Sequence, residues 1–555
     1  MRFLFSRLAP ALLPVWLVAC SGETVESGEQ PAAGDAVAEA NAGEAAEAAP
    51  VTIANGDTNR FLLIGVDGME ISVLEEMWSQ GKLPNLKKLC DEGICGKNVG
   101  EYSSSPIIWT TIATGMKSEK HGIESFTVKG EDGNLMPVSS TMRKVPAIWN
   151  MLSTVGRKVG VLGWWVTWPA EEINGAMLTA RASKPDVDNR VHPPELQKYF
   201  DEELPKTAAA QDLFKSCAQF APNDAWVGHY GKEMMDSGDY DLVMAYFRCI
   251  DVVSHQYWAF YQPEKFDNIS KSEIEKWGDI IPANYEATDA MVGDLLESAG
   301  DDVNVILASD HGFFAQKKET IVVRVLMDRV FAYLGYSELV KDEPDLSKSK
   351  VYAYNSRPKR RMQIIRFAKA GRDPGGTVTE AQFEDIKTRL KADLKKFKYE
   401  SGSSVFILRE ASESEAELGA DFSVQVLRDQ PSQTLYYDGE PVEKMIGVLT
   451  RQSGNHDKPI PPGVFMARGP DINSKAPIED FSIEDFTPTL LYGMGLPIAE
   501  DFDGEVVQSV YTDAFVEDHS KQTIASWGTR DGTAASASNA DDAMLDELRQ
   551  LGYIE

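Results

Sequence analysis

Apolar residues in this chain gather into short unbroken runs that end on a carboxylate or a histidine, with segments of helical length between them. Arg60-Phe61-Leu62-Leu63-Ile64-Gly65-Val66 stops at Asp67-Gly68. Asp241-Leu242-Val243-Met244-Ala245-Tyr246-Phe247 leads to Asp251 and His255, and Val303-Asn304-Val305-Ile306-Leu307-Ala308 leads to Ser309-Asp310-His311-Gly312. A fourth run, from Pro462 to Arg468, follows Gly454-Asn455-His456. A strand buried on both faces shows no polar alternation, so these runs predict parallel strands covered on both sides. Strands alternating with helix-length segments make an α/β fold with a mostly parallel sheet. In such sheets ligands bind beyond the carboxyl ends of the strands. Strand ends that repeatedly carry Asp or His are therefore expected to share one site.

Only seven histidines occur in 555 residues, and three of them, His255, His311 and His456, fall in these motifs. Carboxylate and imidazole donors suit divalent metals, zinc in particular, with manganese and iron as alternatives. Two such metals about 4 Å apart can clamp the attacking and leaving oxygens of a displacement at phosphorus. Asp67, Asp251 and Asp310 complete the candidate ligand set, together with Ser105. Asp67 alone has a second reading, as the N-cap of a helix predicted over Ile71 to Gln80.

The ends of the chain have a different character. Arg2 and Arg7 precede an apolar run from Leu8 to Val18, and Leu17-Val18-Ala19-Cys20 follows, the pattern of an export signal. Residues 20–57 are rich in Ala, Gly and Glu, with eight carboxylates and no Lys or Arg from Ser21 to Asp57. Such a segment cannot bury enough surface to offset its chain entropy and reads as an acidic tether. No other stretch is long and apolar enough for a transmembrane helix. Cys90, Cys95, Cys217 and Cys249 lack zinc-finger spacing; outside the cytoplasm they can form disulfides, with the pairing open. A net charge of −31 argues against a polymeric nucleic acid as partner. A phosphate bound here must be drawn by metals or by a local basic patch.

The motifs together resemble the alkaline phosphatase superfamily and, within it, the type I phosphodiesterase and nucleotide pyrophosphatase family. Val66-Asp67-Gly68 comes first, then Ser105-Pro106-Ile107-Ile108-Trp109 running to Ala113-Thr114-Gly115, then Lys120-His121-Gly122. The remaining motifs are Asp251-x-x-x-His255, Asp310-His311-Gly312 and Gly454-Asn455-His456. Asp485-Phe486-Thr487-Pro488, Gly495-Leu496-Pro497 and Asp503-Gly504 are similar to the superfamily's closing helix and turn. The resemblance spans roughly residues 60 to 510 and implies a three-layer α/β sandwich with an inserted cap. It further implies one metal on Asp251, His255 and His456, and another on Asp67, Asp310 and His311. Ser105 is the implied nucleophile, adjoining the second metal and giving a phosphoseryl intermediate that water hydrolyses. His121 is expected to be a packing residue. Leu17-Val18-Ala19-Cys20 resembles a bacterial lipobox, which implies cleavage before Cys20, lipidation of its thiol, and an exported protein anchored to a membrane of the cell envelope.

This resemblance divides the chain into a signal (1–19), a tether (20–57), a catalytic domain (58–515) with a cap inserted at 317–452, and a polar linker with a C-terminal helix (516–555). Where relatives carry an asparagine soon after the nucleophile, Ile107 and Ile108 stand here. A phosphoryl oxygen would then need other donors, such as the backbone N–H groups after Ser105. Trp109, Trp165 and Trp168 are candidates for substrate contact, with core packing as the alternative for the tryptophans of the Gly163–Pro169 segment. Arg357-Pro358-Lys359-Arg360-Arg361 is either a solvated turn or a contact for a distal phosphate. Met544, Leu545, Leu548 and Leu551 share one face of the terminal helix, which should dock, and no chemistry is expected of it. The expected substrate is a small phosphate ester, diester before monoester; oligomeric state is open. A sulfatase would need an arginine after Ser105-Pro106-Ile107, where Ile108 stands. A tethered binding protein with a dead site would have lost a ligand, and none is missing.

Overall fold

The computed structural model describes residues 59–555 except 131–134, 185–186, 202–216, 218–220, 268, 341–342, 355–361, 412–415, 417–418, 428–433, 444, 476–479, 537–540, 542–543, 546–547, 549–552 and 554–555. The export signal, Cys20, the tether and the basic run at 357–361 lie outside the described residues, as does Leu551.

In chain order the strands that frame the site are β1 (Phe61–Val66), β2 (Ile94–Val99), β3 (Val159–Leu162), β4 (Gly175–Leu178), β5 (Val191–His192), β6 (Leu242–Phe247), β7 (Asn304–Ala308), β8 (Phe314–Val325), β9 (Ile446–Asn455), β10 (Gly463–Arg468) and β11 (Asp480–Ser482). Nine of them form one sheet in the order β11-β2-β10-β7-β1-β6-β3-β4-β5. From β7 through β4 the neighbours are parallel, while β10 and β5 enter antiparallel. Register explains why the strand ends meet. Val66 lies level with Phe247, and Gly65 with both Tyr246 and Ala308, so the residues that follow β1, β6 and β7 emerge at one edge.

Strand alternation divides the interior into two cores. Phe61 and Leu63 of β1, Met244 and Tyr246 of β6, and Ile306 and Ala308 of β7 face one side. Leu62, Ile64, Val243, Ala245, Val305 and Leu307 face the other. Helices α1 (Ile71–Ser79), α2 (Pro84–Glu92), α4 (Ala221–Ser237), α5 (Cys249–Tyr261) and α6 (Ile280–Ala299) cover the second side. The first is covered by α3 (Ser105–Thr114) and α7 (Phe486–Gly493). The result is a three-layer α/β sandwich, each layer bound by apolar burial on both sheet faces.

Helix α3 is buried along its whole length, so its polar residues need internal partners. Thr110 donates to Pro106 O at 2.6 Å and Thr114 to Thr110 O at 2.8 Å. From α7, Thr487 donates to Ile112 O at 2.7 Å. The ribbon β8–β9, in which Phe314 pairs with Asn455, leads out of the sandwich and back. Between its arms stand a four-stranded antiparallel sheet and a helix over Glu380–Leu394, built on a third apolar core from Val325 to Met445. Two disulfides close the pairing that the sequence leaves open: Cys90 with Cys95, and Cys217 with Cys249. No helix among the described residues is long and apolar enough to cross a membrane.

One close approach in β1 seats α3. A Cβ on Gly65 would lie 2.7 Å from the Trp109 ring and 3.1 Å from that of Tyr246. Gly65→Ala is therefore expected to lower stability by about 1–3 kcal/mol through overpacking, read as a lower urea midpoint. An unchanged midpoint would mean that α3 is not seated on β1 in this way.

Candidate metal centre

Asp67 leaves β1 with its N–H donating to Phe247 O at 2.9 Å. It does not cap α1: the N-cap is Glu70, whose carboxylate accepts the Ser72 N–H at 3.1 Å. Glu70 lies immediately before the first helical residue, and Asp67 is three residues further out. At Gly68 the chain turns with φ +71°, and a Cβ would come within 2.9 Å of the Asp251 backbone, so glycine lets β1 and α5 approach.

Asp310 follows the end of β7, with Oδ1 accepting the Gly68 N–H at 3.0 Å and Oδ2 the Trp109 indole N–H at 3.1 Å. The Nδ1 of His311 lies 3.1 Å from Gly312 O. That bond fixes the tautomer and turns a lone pair on Nε2 inward. Asp251 and His255 stand one turn apart on α5, on one face, with His255 Nε2 3.4 Å from Asp251 Oδ1. At the start of α5, the buried Asp224 carboxylate accepts the Arg248 and Cys249 N–H groups at 3.0 and 2.9 Å. Burial pushes Asp224 up to about 7. His456 follows β9, stacks on His311 with centroids 3.7 Å apart, and brings Nε2 to 3.1 Å from His255 Nε2.

These donors form two overlapping groups, Asp67–Asp310–His311 and Asp251–His311–His456, each with its donor atoms within 4.8 Å of one another. His255 adjoins the second group. The six ligands implied by the sequence are thus together, with His311 in reach of both halves. Asp67 Oδ1, Asp251 Oδ1, His311 Nε2 and Ser105 Oγ are buried without a hydrogen-bond partner. Burial, then the Asp310 and Asp251 charges, hold the Asp67 carboxyl well above the usual range. Burial likewise pushes Asp310 up to about 7 and lowers His311 and His456, the latter aided by its histidine neighbours. Neutral imidazoles, crowded carboxylates and unpaired lone pairs suit divalent cations, whose charge would relieve the repulsion. The residues present fit two metals.

Ser105 is the first residue of α3 and fully buried. Ser104, the N-cap, also has an unpartnered hydroxyl, but Ser105 is in i, i+4 register with Trp109, which holds Asp310. The backbone donors expected after Ser105 are otherwise engaged. Pro106 has no N–H, and those of Ile107 and Ile108 go to Ser104 O at 2.9 and 3.1 Å.

Of the three tryptophans expected to touch substrate, two lie behind the ligands. Trp109 is fully buried on Asp310. Trp165 donates to the Tyr246 hydroxyl at 2.6 Å and approaches Asp67 Oδ2 at 3.5 Å. Trp168 donates to Asp188 O at 2.8 Å and lies under the Arg181 guanidinium. Two participants carried no legible signal: Tyr246, whose hydroxyl bonds Asp67 Oδ2, and Tyr553, whose hydroxyl bonds Asp251 Oδ2. Tyr246 looks like any aromatic in a strand, and Tyr553 like any residue trailing a terminal helix. Asp224 likewise has nothing in its local sequence to set it apart from the many other acidic residues.

A mostly parallel sheet covered on both faces, with Asp- and His-bearing strand ends gathered in one buried cluster, is the arrangement that the resemblance to the alkaline phosphatase superfamily implies. Residues 61–432 match the family model of type I phosphodiesterase / nucleotide pyrophosphatase, more than half of the chain, and the protein belongs to that family. His456 lies beyond the matched residues. Among solved structures, murine ectonucleotide pyrophosphatase / phosphodiesterase 5 is 14% identical, with 82% of this chain and 100% of that one covered and a TM-score of 0.42. An inactive variant of it in complex with AMP gives 14%, the same coverages and 0.41. The human protein gives 14%, the same coverages and 0.40. No curated protein matches the chain.

His121, outside the ligand set, supports α3 from the side. Its Nδ1 accepts the Ile123 N–H at 3.1 Å and its Nε2 lies 3.1 Å from Thr111 Oγ1. Burial, then the Arg143 charge, lowers its pKa from 6.5 to about 3. The folded state holds it neutral while the unfolded chain takes up a proton below about 6.5, so its contribution is present above that pH and is lost as pH falls toward about 3. Between about pH 7 and about pH 5 the wild type should lose about 2 kcal/mol more than His121→Gln in urea unfolding. Equal losses would contradict a buried neutral imidazole.

Proposed function

We propose that this protein is a two-metal hydrolase of phosphoric esters, a phosphodiesterase or nucleotide pyrophosphatase by preference, acting through Ser105. The observation that carries the reading is the meeting of Asp67, Asp251, Asp310, His255, His311 and His456 with inward lone pairs left unpartnered. Bound there, two divalent cations, zinc on this donor set, would supply Lewis acidity to the oxygens around phosphorus and to the nucleophile.

The chain's own groups do the rest. His311 is held by Gly312 so that Nε2 faces the site, and Asp310 is oriented by Gly68 and Trp109. Ser105 Oγ loses its proton and bonds to phosphorus as the P–O bond to the leaving alkoxide breaks, and that alkoxide takes up a proton; water then cleaves the phosphoseryl bond, its oxygen staying on the released phosphate and a proton restoring the Ser105 hydroxyl. The dry surroundings raise the strength of every such interaction. Preference for diesters rests on family membership. A sulfatase is disfavoured by Ile108, where that chemistry needs an arginine. Because the protein carries a charge of −31, an anionic substrate depends on the cations for attraction.

The reading extends to location: an exported protein lipidated on Cys20 and held at a bacterial envelope membrane by the 20–57 tether. Cys20→Ala should move it from the membrane fraction to the soluble fraction, and an unaltered distribution argues against the anchor.

With added zinc, bis-p-nitrophenyl phosphate should be hydrolysed in preference to p-nitrophenyl phosphate and p-nitrophenyl sulfate. Ser105→Ala should reduce the rate roughly a thousand-fold or more, and chelation should abolish it reversibly. A preference for the monoester would keep the mechanism and change the substrate class. Turnover of sulfate alone, or full activity without Ser105, would overturn the proposal.

A further inference from the structure

The C-terminal tail brings one described residue, Tyr553, to the candidate metal centre. From Trp527 onward the tail is tied down in succession: Arg530 N–H to Lys144 O at 2.8 Å, Thr533 N–H to Thr141 O at 2.9 Å, and Ser536 N–H to Ser139 Oγ at 3.1 Å. Arg530 also pairs with Glu171, and Asp541 with the buried Arg181 at 3.0 Å. Met544, Leu545 and Leu548 are then buried, Met544 and Leu548 within the core on the α3 side. The Tyr553 N–H donates to Leu548 O at 2.9 Å. That ring stacks on Phe126, with centroids 4.5 Å apart and planes 6° from parallel, and meets His255 edge-on at 5.3 Å. Its hydroxyl bonds Asp251 Oδ2.

The two aspartates at opposite ends of the cluster are held alike. Asp67 presents an unpartnered Oδ1 while Tyr246 holds Oδ2. Asp251 presents an unpartnered Oδ1 while Tyr553 holds Oδ2. In each, a phenol fixes one oxygen and so aims the other. Tyr246 is an internal strand residue, whereas Tyr553 is reached only after the chain has passed around the sandwich.

We infer that the C-terminal tail is a working part of the metal centre, and that Tyr553 is a positioning residue that holds Asp251 for the metal it shares with His255 and His456. The inference rests on the proposed metal assignment but does not depend on which ester is cleaved. Groups that hold a ligand's outer atom typically contribute 10–100-fold to metal affinity. Loss of the Tyr553 hydroxyl should therefore weaken one metal and spare the other, since Asp67 keeps Tyr246.

The test is calorimetric titration of metal-stripped protein with Zn2+ alone, comparing wild type, Tyr553→Phe and Tyr246→Phe. Tyr553→Phe keeps the ring on Phe126 and should leave the melting temperature within a few degrees. One of two Zn2+ sites should weaken roughly tenfold or more in this variant, Tyr246→Phe should weaken the other, and deletion of residues 553–555 should reproduce the first effect. Unchanged affinities at both sites in Tyr553→Phe would overturn the inference. So would a raised kcat/KM with unchanged affinities, which would mark the tail as a plug. Because Zn2+ binding is read without substrate, a protein that cleaves no phosphoric ester yet shows this split would refute the proposed reaction and leave the role of Tyr553 standing.

Discussion

Three carboxylates and three imidazoles withdrawn from water within a few ångströms form the constraint on which this structure turns. Asp67, Asp251 and Asp310 are each no more than 3% exposed. Without a cation their mutual repulsion and desolvation oppose the folded arrangement, as the upward shifts of Asp67 and Asp310 express. Burial of charge is tolerated when it is paired or coordinates metal. The apolar sandwich therefore does two jobs: it supplies the burial energy that forces the strand ends together, and it excludes the water that would screen them.

Rigid placement of those groups comes from neighbours that are themselves fully packed. The Asp310 carboxylate is gripped by a backbone amide and by an indole on α3. Trp109 in turn sits edge-on to Trp164 and Tyr246 at 5.0 and 4.9 Å, and Gly65 makes room for it. Trp164 donates to Trp109 O at 3.0 Å. The aromatic residues thus link α3, which begins at Ser105, with β1, β6 and the 163–169 loop into one packed support for the ligand set.

Most of this architecture was legible because the strongest signals are local. An unbroken apolar run ending in Asp-Gly or Asp-His-Gly reports both a buried strand and its ligand-bearing end, which is why Asp67, Asp251, Asp310, His311 and the sheet they end could be read from the chain. Less legible were features that depend on what lies across the fold. The N-cap of α1, one of the two readings of Asp67, is supplied by Glu70, which also accepts the Phe313 N–H at 2.8 Å. The backbone donors after Ser105 were cancelled by Pro106 and by bonding to Ser104. The tryptophans of the 163–169 segment were ambiguous between wall and core because indole serves both. Tyr553 bonds a residue 302 positions away, and no periodicity in the terminal helix could announce that.

The long excursion between His311 and His456 poses a physical question: how so many residues can stand between two candidate ligands without spreading them. Antiparallel pairing at its root answers it. Phe314 opposite Asn455 and Ala315 opposite Gly454 fix the outgoing and returning strands side by side within a few residues of each histidine. Phe313 packs edge-on to His311, His255 and His456 with centroids between 4.9 and 5.6 Å, a single ring touching all three imidazoles. Gly454 lets the returning strand close on α5, since a Cβ there would lie 2.2 Å from Ser254 O. Ser453, beside it, accepts the Ala259 N–H at 2.9 Å. The region between them packs on its own core, while the two candidate ligands that flank it are held by four residues of ribbon and one phenylalanine.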